Sequence, residues 1–118
     1  MKNVTRVKSL FLIAAIIVVS YAAAFGARSV SGTPADGNAI YAARCSVCHG
    51  KDGRGTPNWR AKGQPDFTDA KWQKSRTDAQ IAGFTKEGKG KYMPAFKSKL
   101  SDEEIAAVVA RVREFGKR

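Results

Sequence analysis

Three residues within five positions could do chemistry together: Cys45, Cys48 and His49, in the run Cys45-Ser46-Val47-Cys48-His49. The spacing is C-x-x-C-H. On one helical turn, side chains three apart share a face, so the two thiols are presented side by side and the imidazole follows directly. This is the attachment pattern of a c-type haem. The thiols of Cys45 and Cys48 add to the two vinyl groups on one edge of a porphyrin, and His49 turns beneath the ring to ligate iron. The covalent links then hold the imidazole at high effective concentration beside the metal.

Other uses of the same residues fit less well. A structural zinc site takes about four Cys or His ligands, and this chain has two cysteines and one histidine in all. A thioredoxin-like pair needs a βαβ setting, for which no pattern exists here. A plain disulfide leaves the adjacent His49 unexplained.

Haem iron in such sites commonly takes a second axial ligand, and methionine opposite histidine raises the potential. Two methionines are present, Met1 and Met93, and no second histidine. Met93, in Lys91-Tyr92-Met93-Pro94, is therefore the candidate sixth ligand, with Pro94 restricting the backbone beside it. An open or water-bound iron is the competing arrangement.

Three helices are expected to position these groups. The first opens at Thr33, with Pro34 at its first position and Asp36 three residues after the cap, and runs to about Cys48. The second opens at Thr77, with Gln80 at the capping-box position, and is closed by Gly88 and Gly90. The third opens at Ser101, with Glu104 completing the box and Leu100 stapling onto Ile105. Its Ile105, Val108, Val109, Val112 and Phe115 form a stripe at helical spacing, and Gly116 is a candidate stop. Residues 50–76 read as one long Gly- and Pro-containing loop, of a length that usually wraps something functional. Asp66 and Asp69 read as capping or solvated loop residues, and Trp59 and Trp72 as pocket or loop packing. Nothing in the chain reads as a catalytic group of an enzyme.

The N-terminus reads differently. Lys2, Arg6 and Lys8 precede an apolar run over residues 10–27. A basic start, an apolar stretch and small residues describe a secretory signal, with cleavage expected after Ala24. An uncleaved anchor is the alternative, since 18 residues sit at the lower edge of what spans a bilayer, roughly 17–25. Residues 1–24 are thus expected to be a signal peptide or anchor, 25–32 a tether and 33–118 the folded domain. The domain then faces the exported side, the periplasm in a bacterium, either soluble or tethered.

Of 118 residues, 21 are Lys or Arg and 10 are Asp or Glu, a net charge of +11. Loss of residues 1–24 removes three basic residues and no acidic one, leaving +8. A basic surface favours docking on acidic partners. Lys86, Lys89, Lys91, Lys97 and Lys99 crowd the sequence around Met93. An exported haem domain does not suit nucleic-acid binding. A chain this short gains from a large apolar cofactor at its centre.

Over residues 33–118 the sequence resembles class I c-type cytochromes of the small exported mono-haem type. The resemblance is carried by Gly37 and Tyr41, by Cys45–Gly50, by the run Gly88-Lys89-Gly90-Lys91-Tyr92-Met93-Pro94 and by the opening of the last helix. It implies an all-α fold of three or four helices around one haem c, with the first and last helices crossing closely at Gly37 and Tyr41 beside them. It implies a proline carbonyl accepting the His49 N–H, with Pro57 and Pro65 as candidates. The chain departs from the pattern at Arg111, where the last helix usually carries an aromatic; Phe115 stands one turn later. The implied function is electron transfer, first as a carrier between redox proteins. The alternatives are a haem c subunit of a larger oxidoreductase and a haem-based ligand binder.

Overall fold

The computed structural model describes residues 33–118, and Pro34–Arg118 forms one compact unit. The proposed signal or anchor and the tether lie outside the described residues. The described residues form α1 (Gly37–Arg44), α2 (Ser46–His49), α3 (Pro57–Arg60), α4 (Ala70–Ser75), α5 (Asp78–Glu87) and α6 (Asp102–Phe115). Three of these have eight residues or more and three are shorter. The one β feature among them is an isolated antiparallel bridge between Lys89 and Met93. No helix among the described residues is long and apolar enough to cross a membrane.

The first helix starts three residues later than its sequence signals suggest. Asp36, not Thr33, is the cap, and its carboxylate accepts from the N–H groups of Asn38 and Ala39. An Asx cap satisfies two orphan donors at once, which a helix started at Pro34 would forgo. The helix also breaks at Cys45, so that α2 is a separate turn ending on Gly50 at φ 74°. The second and third expected helices open as read. Thr77 with Gln80 and Ser101 with Glu104 each form a complete capping box. Gly116 ends α6 in an ordinary right-handed conformation.

The expected long loop is not structureless. It contains α3, entered through Pro57, and α4, whose N-cap is Asp69, accepting from Lys71 N–H. Asp66 is likewise a local cap, accepting from the N–H and hydroxyl of Thr68. These two elements have too few residues for an apolar period to show in the sequence.

The core forms where α6 crosses α1. Every residue of the α6 stripe is buried, from Ile105 through Val108, Val109 and Val112 to Phe115. Gly37 lets the helices meet: a Cβ there would collide with the Ala107 carbonyl. Tyr41 packs beside it, its ring 5.1 Å from that of Phe115. Phe115, fully buried, thus supplies the aromatic that the departure at Arg111 removes. Arg111 stacks over the Phe115 ring at 4.2 Å and pairs with Glu114.

A polar knot ties the middle of the chain to α6. Gln73 donates to the Phe67 and Val112 carbonyls. Arg113 donates to the Gln73 and Arg76 carbonyls and to Asp78. Partly buried carbonyls are costly to leave unpaired, so this knot fixes how the segment carrying α4 lies on the last helix.

Candidate functional site

A cavity of about 660 Å³ with a mainly apolar wall opens beside α2. This lies within the range of cofactor pockets, roughly 300–1,000 Å³. Cys45, Cys48 and His49 line it, and so does Met93 from the turn after α5. The four residues singled out in the sequence, 48 positions apart at the extremes, therefore line one space.

Local structure explains each placement. Cys45 is the hinge between α1 and α2, its N–H bonded to the Tyr41 carbonyl at 2.9 Å and its own carbonyl accepting from His49 at 2.9 Å. Gly50 closes the turn, and its carbonyl accepts from the buried Tyr41 hydroxyl at 2.9 Å. Burial raises the Tyr41 pKa, so this donor stays protonated. Met93 is held by the bridge to Lys89, with N–H to carbonyl distances of 3.0 and 3.3 Å. Gly88, at φ 77°, makes room for that bridge: a Cβ would lie 2.5 Å from the Met93 carbonyl oxygen.

The chemical state of the groups suits metal binding at His49. Burial lowers its pKa to about 4, so the ring is neutral near pH 7, the form that ligates metals. Burial raises the Cys45 thiol to about 11. Neither cysteine is in a disulfide.

The residues present fit a haem. Among the described residues, three buried side-chain polar atoms lack a hydrogen-bond partner: His49 Nδ1, Gln64 Oε1 and Arg76 Nε. All three belong to residues lining the cavity. Buried polar atoms are nearly always paired in folded proteins, so unpaired ones on three residues of this wall fit a cavity that another group fills. The expected proline partner of the imidazole is not made: His49 Nδ1 bonds neither candidate carbonyl, Pro65 lining the cavity and the Pro57 carbonyl accepting from Ala61 N–H at 3.2 Å within α3.

The family whose description is cytochrome C oxidase, cbb3-type, subunit III matches residues 32–110. The chain belongs to this family of class I c-type cytochromes. Its cofactor is accordingly covalently attached haem c. Among solved structures, the KustC0563 c-type cytochrome is 40% identical with a TM-score of 0.65, over 68% of this chain and 96% of that one. Among curated relatives, the cbb3-type cytochrome c oxidase subunit FixP of Azorhizobium caulinodans is 35% identical over 96 residues, 75% of this chain and 32% of that protein. The subunit CcoP of Rhodobacter capsulatus is 32% identical over 100 residues, 74% of this chain and 33% of that protein. This cytochrome thus spans about a third of the length of the curated relatives it matches.

The structure also supplies site residues that the sequence did not reveal. Phe67 stacks on the His49 imidazole, with centroids 4.7 Å apart and planes 17° from parallel. It is buried against Trp72 and Phe115 as well. Its N–H is anchored on the Gly53 carbonyl at 2.9 Å. No motif flags an aromatic 18 positions beyond the histidine it supports. Trp59 and Trp72 both line the cavity, as read.

The lysine cluster needs correction. Lys86 pairs with Asp102 at 2.8 Å and Lys97 with Glu87 at 2.7 Å. Neither lines the cavity, nor does Lys99. The cations that do are Arg44, Lys62, Arg76, Lys89 and Lys91, and no Asp or Glu accompanies them.

Proposed function

We propose that this chain passes single electrons through one haem c held by Cys45, Cys48, His49 and Met93, as the haem module of a larger respiratory oxidoreductase. The supporting observation is that all four side chains line one apolar cavity. Haem c supplies a one-electron couple between ferrous and ferric iron. The protein's part is to attach it by Cys45 and Cys48, to present the neutral His49 imidazole and to offer the Met93 thioether as sixth ligand. Held by both His49 and Met93, the iron would have no position open to a substrate. The apolar wall keeps water from the metal, which favours transfer with little rearrangement.

The subunit reading is favoured by the relatives, which are named as subunits of cbb3-type oxidases. A self-standing carrier, the first expectation from the sequence, keeps one support: the KustC0563 cytochrome is matched over nearly its whole length. In either case the partner offers an acidic face to the exposed cations that line the cavity, Arg44, Lys62, Lys89 and Lys91.

Two measurements test this. Mass spectrometry and oxidised and reduced visible spectra of the purified protein are expected to show one covalent haem and the weak far-red absorption of sulfur-ligated ferric iron. A colourless product from cells able to mature cytochromes c overturns the site. Native separation of detergent-solubilised membranes is then expected to place this chain's haem with a large oxygen-reducing assembly. Migration as a free small cytochrome refutes the subunit reading and leaves the carrier.

A further inference from the structure

The Met93 turn has an attachment that its own sequence does not disclose. Its hydrogen bonds are local: Lys89 with Met93, and just beyond it Phe96 to the Thr85 carbonyl at the end of α5. Its Lys89 ammonium also lies over the ring of Phe84 in α5, at 4.0 Å. Tyr92, the residue before Met93, reaches further. Its ring meets that of Trp59 in α3 edge-on, with centroids 5.7 Å apart and planes at 79°. Lys62 bridges the pair, its Nζ 4.3 Å from the Trp59 centroid and 5.1 Å from that of Tyr92. No carboxylate among the described residues lies within ion-pair distance of Lys62, so its charge is directed to the two rings. All three residues line the cavity.

We propose that Trp59, Lys62 and Tyr92 form a clasp that sets how readily the Met93 turn swings away from the haem, making Trp59 and Lys62 positioning residues for the sixth ligand. The inference rests on Met93 being that ligand. The clasp is the one aromatic contact, among those of the described residues, that joins the turn to a segment distant from α5. Edge-to-face aromatic pairs and cation–π contacts are each modest at a partly exposed site. They are large enough to bias a local opening and too small to lock it. With the clasp open, the ties of this turn named above are its own Lys89–Met93 bridge and those to α5, so Met93 would leave its ligand position more readily. The chain thereby holds a gate whose strength depends on a lysine outside the ligand set.

The test measures imidazole binding to the ferric, haem-loaded full chain, which requires displacement of the sixth ligand. Lys62 is exposed, so its substitution leaves folding intact. Lys62→Gln is expected to bind imidazole about 2- to 5-fold faster than the wild type, as loss of an exposed cation–π contact implies. Lys62→Arg, which restores the cation, is expected to return close to the wild-type rate. Trp59→Leu, which removes the ring pair and the Lys62–Trp59 contact, is expected to be faster by on the order of 10-fold. In a Met93→Ala background, Lys62→Gln is expected to have no effect, because nothing is left to release. Unchanged binding in Lys62→Gln, or equal acceleration with and without Met93, overturns the clasp. If Met93→Ala alone keeps both the far-red band and the wild-type rate, the ligand assignment has failed instead.

Discussion

Replacing Gly37 by alanine tests the helix crossing on which the placement of Cys45–His49 depends. The new Cβ would meet the carbonyl of Ala107, with the carbonyl carbon at 2.6 Å. Carbon atoms pack at about 3.5–4.0 Å, so α1 and α6 must part by about 1 Å. The obstacle is helix backbone and cannot rotate away. A separation of this size forfeits roughly a quarter to a half of the dispersion energy along the contact. Overpacking of this kind costs about 1–3 kcal/mol. The intrinsic gain from alanine in a helix is at most about 1 kcal/mol, and Gly37 stands at the first position, where it is smaller. The expected net loss is about 2 kcal/mol. Gly83, inside α5, is the internal control, since nothing lies within 4 Å of an added Cβ there. Gly83→Ala is expected to stabilise by about 0.5–1 kcal/mol. Urea unfolding followed by tryptophan fluorescence reads both, because Trp59 and Trp72 line the cavity and brighten when they leave the haem. With a slope of about 1–3 kcal/mol/M, the Gly37→Ala midpoint falls by about 1 M while that of Gly83→Ala rises by some tenths. If the two substitutions shift the midpoint in the same direction, the close crossing is not what Gly37 provides.

Met93→Ala is expected to keep covalent haem, lose the far-red band and lower the reduction potential by on the order of 0.1 V, well inside the roughly 0.8 V that axial ligands command; potentiometric titration checks it. Phe67→Ala removes the ring stacked on His49 and a core side chain together, at a cost of about 3–5 kcal/mol. A thermal midpoint lower by more than about 10 °C is expected, and a smaller shift contradicts the stack's role. The Thr68 hydroxyl bonded to Asp66 holds that carboxyl below its usual value. Its stabilisation is therefore full above the unfolded carboxylate pKa of about 3.9 and is lost as pH falls through the lower folded value. Thr68→Val is expected to remove that contribution above pH 4 and leave stability at lower pH closer to wild type, as measured by urea unfolding at pH 3 and pH 6.

Much of the site was legible because its chemistry is local. Cys48 and His49 lie on one helical turn capped by Cys45, and the capping boxes at Thr77 and Ser101 each link residues three apart. The α6 stripe follows from one helical period. Met93 stands out as the candidate by composition, being the one methionine within residues 33–118 of a chain with a single histidine. The first helix was misplaced for an equally local reason: Thr33-Pro34 and Asp36 are both start signals, and the two-donor bond of Asp36 prevails.

Tertiary structure decided what lies between distant segments. Phe67 supports His49, Gln73 and Arg113 lock the α4 segment to α6, and Phe115 takes the aromatic place beside Tyr41. Trp59 reaches Tyr92 in the wall of the cavity, and two of the lysines near Met93 are spent in ion pairs with Asp102 and Glu87. None of these pairings repeats at a fixed spacing, so no period in the chain announces them. They arise because an apolar ring or an unpaired polar group takes whichever partner the folded backbone brings within reach.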